Sequence, residues 1–132
     1  VGGATFVVQA ASLTAPYPHC NSKLFDAVLE HGGGWLSETP LGQPPVRSRF
    51  LSRNRLIAAL ADAVVVIQAP CRSGALSTAR WARKLERPLF SVPTAPWSVR
   101  GSGSLNLLAE GALLCRSARD IAAGMQWVWR NN

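Results

Sequence analysis

The chain has 132 residues, of which 48% are apolar, and it carries a formal net charge of +7. This length suits one domain with a hydrophobic core, and no apolar run reaches the roughly 20 residues that a transmembrane helix needs. The three cysteines, Cys20, Cys71 and Cys115, are widely spaced, which excludes a disulfide framework and indicates free thiols in a cytoplasmic protein.

Strand and helix patterns alternate along the chain. In its first half the predicted elements are a strand over 5–10, a helix capped by Ser22 and stopped by glycines 32–34, a strand over 35–37, a Pro/Gly loop over 38–48 and a helix over 50–61. In its second half they are a strand over 63–69, a turn over 70–73, a helix over 74–86, a strand over 89–92, a loop over 93–103, a helix over 104–109, an edge strand over 113–115 and a helix over 117–129. This order predicts a single α/β domain over 1–132, with a mostly parallel sheet flanked by helices on both faces.

Ligands of such sheets bind outside the carboxyl ends of the strands. The segments that leave the predicted strands should therefore lie along one edge of the sheet. These segments are 11–21, 38–53, 70–74 and 93–103.

One of these segments is rich in arginine. Residues 47–55 read RSRFLSRNR and contain no acid. Guanidinium groups bind phosphate bidentately, so the cluster favours an anionic partner. All four arginines, Arg47, Arg49, Arg53 and Arg55, are therefore candidate phosphate-binding residues.

A second candidate follows the strongest predicted strand. Arg72, Ser73 and Gly74 open a helix, whose N-terminal N–H groups attract anions. An ordinary serine cap would have the same sequence, but Arg72 beside it favours an anion cradle.

The spacing of residues does not match the motifs of several enzyme classes. The position six residues after Cys71 is Ser77, not the arginine of a cysteine phosphatase loop, and no Gly-Lys-Ser/Thr is present. No His/Cys cluster or pair of carboxylates suggests a metal site or acid/base chemistry. We therefore expect no catalytic residue, metal or cofactor, and Glu38 is expected to be an arginine partner that orders its loop.

Aromatic residues lie near the predicted ligand edge. Tyr17 and Phe50 are candidates for stacking with bases of single-stranded nucleic acid, and Trp97 falls in a neighbouring loop. Trp127 and Trp129, two apart on the last helix, cannot share one face, so at least one should be exposed or meet another chain.

The motifs resemble those of the DNA-processing protein A family (DprA, also called Smf). Residues 50–57 (FLSRNRLI) resemble its Phe-Pro-x-Arg-Asn-Arg-x-Ile signature. Residues 13–21 look like its Tyr-Pro turn, 37–45 like its approach loop, and 73–79 like its Ser-Gly-Ser-Leu-x-Thr-Ala turn. The resemblance covers about residues 3–123.

The resemblance implies a Rossmann-like domain that binds single-stranded DNA in a basic pocket, without catalysis. It also implies a homodimer and help in loading a RecA-type recombinase during natural transformation. Carried onto this chain, Arg53 and Arg55, inside the signature at a helix start, would contact phosphate or shape the pocket, and Ser73 and Gly74 would offer donors to phosphate. Arg47 and Arg49 lie outside the signature in the proline loop and are expected to be solvated steering charges. The candidate DNA-binding residues are therefore Arg53, Asn54, Arg55, Arg72, Ser73 and Gly74, with Arg47 and Arg49 as auxiliaries.

The chain departs from the family pattern at Thr14, Leu51, Gln68, Ala75, Thr94 and Leu105. It also lacks the first half of the family domain, so we expect it to be the C-terminal portion of a longer domain. The alternative function is binding of a nucleotide-derived small ligand, as in sensors and phosphoribohydrolases of the same fold. Against hydrolysis, residues 70–74 lack the glycine pair of those enzymes.

Overall fold

The structure, a computed structural model, describes residues 2–131, and for residues 127–131 it describes the backbone alone. The strands are β1 (Phe6–Gln9), β2 (Gly34–Ser37), β3 (Val64–Val66), β4 (Leu89–Ser91) and β5 (Leu113–Leu114). The helices are α1 (Ser22–Glu30), α2 (Arg47–Leu60), α3 (Gly74–Lys84), α4 (Ser102–Ala109) and α5 (Ala118–Asn131). The expectation that Trp127 or Trp129 is exposed or meets another chain falls outside the residues whose side chains are described.

The chain divides into two compact units, Val1–Leu56 and Ile57–Asn132. In the first unit β1 and β2 are parallel, with Phe6 opposite Gly34 and Gln9 opposite Ser37. α1 connects the two strands and packs against both. Because the strands are parallel and in register, their carboxyl ends lie side by side.

The second unit contains a parallel sheet in the order β3-β4-β5. α3 connects β3 to β4, and α4 connects β4 to β5. Phe90, in the central strand, is fully buried. Small and branched side chains form the core, namely Ala58, Val64, Val66, Ala69, Ala79, Ala82, Leu89 and Leu107.

The predicted parallel α/β fold is confirmed, and β5 lies at the sheet edge as expected. The strands, however, form one two-stranded and one three-stranded sheet, which the alternation of strands and helices did not predict. Among the described residues, no helix is both long enough and apolar enough to cross a membrane.

The predicted start of α2 is wrong. The helix begins at Arg47, directly after Val46, so Arg47 and Arg49 belong to its first turn and not to the proline loop. Arg53 and Arg55 accordingly lie within the helix, not at its start. Arginine is a good helix former, and helices commonly begin soon after proline, so the helix extends back toward Pro45.

Two smaller expectations are also wrong. Ser22 is the first helical residue of α1, and Asn21 occupies the cap position. β3 is shorter than predicted, and Ile67 beyond it is 66% exposed, so the apolar run 63–69 is not buried throughout. An apolar run alone does not show where ladder pairing stops.

Candidate nucleic-acid interface

Hydrogen bonds join the chain segments at the carboxyl ends of β1 and β2. The Ser37 hydroxyl donates to the carbonyl oxygen of Ala11 at 2.7 Å, and the Thr39 hydroxyl donates to that of Ala10 at 3.1 Å. Within the first unit, the segments predicted to meet at the carboxyl ends of the strands therefore do meet.

A cavity of about 200 Å³ lies at this edge. Its lining consists of Gln9, Glu38, Thr39, Arg49, Ser52, Arg53 and Leu56. Sites for drug-sized ligands usually occupy about 300–1,000 Å³, so this cavity suits a smaller group, such as one base or one phosphate. We refer to it as the Arg53 cavity.

A larger cavity of about 430 Å³ lies in the same unit, beside α1. Its described lining residues include His31 but no arginine or lysine. Because an anion needs positive charge or convergent donors, the smaller Arg53 cavity is the better candidate for a nucleic acid.

Arg53 is held in place by two hydrogen bonds. Its Nη1 donates to the carbonyl oxygen of Val8 in β1, and its Nε donates to Asn54 Oδ1 at 3.2 Å. Burial lowers the pKa of Arg53, but an arginine remains protonated at neutral pH. The two bonds use two of the five N–H donors of the guanidinium, which leaves donors for a ligand.

Asn54 is a buried residue, only 7% exposed. Its side-chain oxygen accepts the hydrogen bond from Arg53. Burial favours a positioning role for Asn54, in which its amide orients the guanidinium, over direct contact with phosphate.

Arg55 forms an ion pair with Glu38, and both side chains are about half exposed. The expectation that Glu38 partners an arginine is confirmed. The pair partly neutralises Arg55, so a phosphate would compete with Glu38 for it. Of the first-turn arginines, Arg49 donates to the carbonyl oxygen of Pro44 at 3.1 Å, whereas Arg47 is exposed.

The two predicted stacking residues contact each other. The rings of Tyr17 and Phe50 meet edge to face, with centroids 5.8 Å apart and planes at 75°. Tyr17 is 46% exposed, so one ring of the pair is open to solvent. In the second unit Trp97, in the loop after β4, is 85% exposed and offers a free indole.

The turn before α3 carries the second predicted anion site. Ser73 occupies the cap position of α3, but its side chain makes no capping hydrogen bond. Among the described residues its Oγ is buried without a partner. Arg72 beside it is exposed. Ser73 therefore lacks the side-chain hydrogen bond that defines an ordinary serine cap.

Gly103, at the start of α4, packs closely against the backbone that leads into this turn. Its N–H donates to the carbonyl oxygen of Ala69 at 2.8 Å. A Cβ atom at position 103 would lie 2.8 Å from the carbonyl oxygens of both Ala69 and Pro70. The close approach of the two backbones therefore requires glycine.

Gln9 was not predicted as a site residue, although it lines the Arg53 cavity. Its position in the sequence could have identified it, because it is a polar residue at the end of an apolar strand.

Comparison with known proteins agrees with these observations. The family model for DNA recombination-mediator protein A matches residues 1–126. The chain belongs to this family. It is 40% identical over 125 residues to Protein Smf of Synechocystis sp., covering 95% of this chain and 31% of that protein. It is 34% identical over 127 residues to Protein Smf of Escherichia coli, covering 96% of this chain and 34% of that protein.

Two solved structures of family members are similar to this one. The X-ray structure of DprA from Streptococcus pneumoniae superimposes with a TM-score of 0.85 at 35% identity, covering 92% of this chain and 43% of that one. A structure of DNA processing protein A from Helicobacter pylori, described for its single-stranded DNA binding mode, has a TM-score of 0.81 at 31% identity over 96% of this chain and 57% of that one. The fold is therefore Rossmann-like, and the chain spans about a third of the length of its curated relatives.

Proposed function

We propose that this chain binds single-stranded DNA and that the Arg53 cavity holds one base or one phosphate of the strand. The observation that carries the proposal is the position of Arg53. Its guanidinium is fixed by Val8 and Asn54 in a cavity at the carboxyl ends of two parallel strands, where ligands of α/β sheets bind. The Helicobacter pylori relative is described for the same type of binding.

In this proposal the other predicted residues contact the strand directly, attract it by charge or stack with its bases. Arg55 contacts phosphate in competition with Glu38, and the first-turn arginines, Arg47 and Arg49, attract the strand. Tyr17, with Phe50 behind it, supplies a stacking surface. In the second unit Arg72, Ser73 and Gly74 form an additional phosphate cradle.

The family resemblance extends the proposal beyond DNA binding. By resemblance alone, we propose that the chain is the C-terminal portion of a longer Rossmann-like domain, acts without catalysis, forms a homodimer and helps to load a RecA-type recombinase. Light scattering tests the dimer, because a monomeric mass at micromolar concentration contradicts it.

Binding itself is tested by fluorescence anisotropy with a labelled oligo-dT. We expect saturable binding that weakens as salt is raised, because phosphate contacts release counterions. Absence of binding at low salt contradicts the proposal.

A nucleotide-derived small ligand is the second candidate, because the Arg53 cavity could equally hold the base or the phosphate of a free nucleotide. Thermal stabilisation by deoxythymidine monophosphate, together with no binding of oligo-dT, would support this candidate over DNA binding.

A further inference from the structure

Gln9 is the last residue of β1 and is only 4% exposed. Its Oε1 accepts a hydrogen bond from the backbone N–H of Tyr17 at 3.2 Å. A backbone N–H can only donate, so the amide oxygen must face Tyr17 and the Nε2 group must point the other way. This contact settles the orientation of the side-chain amide.

The Nε2 group of Gln9 is buried, and among the described residues it has no hydrogen-bond partner. Buried polar groups are nearly always paired, so such an orphan donor needs a reason. The nearby polar groups make other contacts, since Glu38 accepts from Arg55 and the Thr39 hydroxyl donates to Ala10. The orphan donor belongs to a residue that lines the same cavity as Arg53.

We propose that Gln9 Nε2 donates a hydrogen bond to an acceptor oxygen of the base or phosphate held in the Arg53 cavity. This inference rests on the proposed DNA-binding function and adds a specific contact to it. A primary amide contributes donors without charge, so it suits a base carbonyl or a phosphate oxygen, while Arg53 supplies the positive charge. Binding would satisfy a donor that is otherwise left buried and unpaired.

Three variants test the contact. Gln9→Met keeps an unbranched side chain of similar length but removes the amide. Gln9→Glu keeps an acceptor for the Tyr17 N–H but replaces the donor with a negatively charged oxygen. Gln126→Met is the matched control, because Gln126 is exposed on α5. Each variant is titrated with labelled oligo-dT and with an abasic deoxyribose-phosphate strand of equal length, and its thermal midpoint is measured alongside.

We expect Gln9→Met to weaken oligo-dT binding about tenfold, since the loss of one well-formed hydrogen bond in a buried site is of this order. Gln9→Glu should weaken binding at least as much, because a carboxylate oxygen repels an acceptor. Should Gln9→Met fail to fold, Gln9→Leu, which also lacks the amide and carries no charge, provides the test. Gln126→Met should bind like the wild type.

The two strands identify the acceptor. If Gln9→Met loses affinity for oligo-dT alone, the acceptor oxygen belongs to the base. If it loses affinity equally for oligo-dT and the abasic strand, the acceptor belongs to the phosphate. Either result supports the donor role of Gln9. Wild-type affinity in both folded Gln9 variants overturns the inference while leaving DNA binding intact. A wild-type chain that does not bind oligo-dT overturns DNA binding and this inference together.

Discussion

Arg53 and Val8 are joined by a hydrogen bond from the guanidinium Nη1 to the carbonyl oxygen one residue before the end of β1. The bond anchors a long, flexible side chain to a strand of the sheet. An anchored guanidinium loses little conformational freedom when a ligand binds, so more of its interaction energy contributes to affinity.

The ion pair between Glu38 and Arg55 should limit DNA affinity. Substituting Glu38→Gln removes a negative charge from the lining of the Arg53 cavity and releases Arg55. We expect several-fold tighter binding of oligo-dT at low salt, with the gain shrinking as salt is raised. Because the pair is exposed, the free energy of unfolding should change by less than about 1 kcal/mol. Unchanged or weaker binding would show that Arg55 does not contact the DNA.

Ser73 distinguishes an anion cradle from an ordinary cap. Replacing a capping serine with alanine usually costs about 1 kcal/mol of stability. Ser73 makes no capping bond and its buried Oγ has no partner among the described residues, so Ser73→Ala should lower the free energy of unfolding by less than about 0.5 kcal/mol. Oligo-dT binding should nevertheless weaken. A clear loss of stability with unchanged binding would favour the ordinary cap.

Gly103 should tolerate no side chain. In Gly103→Ala the new Cβ meets two backbone carbonyls at 2.8 Å, so α4 or the turn before α3 must shift. We expect destabilisation of roughly 1–3 kcal/mol, as for other overpacked sites, measured by urea unfolding. Gly3→Ala is the control, because its Cβ would have no atom within 4 Å. Equal stability of the two variants would contradict the close approach.

The first turn of α5 should make stability depend on pH. Hydrogen bonds from the Arg116 side chain and backbone, with a smaller contribution from the Ser117 N–H, lower the pKa of Asp120 to about 2. An unfolded aspartate has a pKa of about 3.9. Asp120 therefore contributes its full stabilisation above about pH 4 and loses it as the pH falls through about 2.

This dependence is tested with Asp120→Asn and, as control, Asp62→Asn at an exposed position. Asp120→Asn should lower the urea midpoint at pH 7, and its difference from the wild type should shrink toward pH 2. A difference that is the same at both pH values would show that the charge of Asp120 is not responsible.

Much of the fold could be predicted, because apolar runs and their alternation with helical patterns depend on local sequence. The start of α2 was missed since the arginines gave no apolar periodicity before Phe50, although arginine favours helix. The pairing of Glu38 with an arginine could be anticipated from its position, as Glu38 is the one acid in the segments predicted to form the ligand edge. Helix capping by Ser22 was wrong because a preceding turn, His19–Asn21, already leads the chain into α1.

The cavity itself could not be predicted in the same way. The bond from Arg53 to Val8 joins residues 45 apart in the chain, and the orphan donor of Gln9 exists only because Tyr17 holds the other end of its amide. Such relationships depend on tertiary contacts, which no local pattern encodes. The family signature identified both Arg53 and Arg55 as candidates. Only the structure shows that they differ, because Arg53 is hydrogen-bonded to Val8 in the cavity whereas Arg55 forms an ion pair with Glu38.

The most direct test of the proposed function is the salt dependence of oligo-dT binding in three proteins: the wild type, Arg53→Ala and Arg119→Ala. Arg119→Ala removes an exposed arginine from α5 and serves as the charge-matched control. If Arg53 contacts one phosphate, its removal should reduce the slope of log affinity against log salt by about 0.7, the value for a single-strand contact, while Arg119→Ala leaves the slope unchanged. Equal slopes in all three folded proteins would contradict the account.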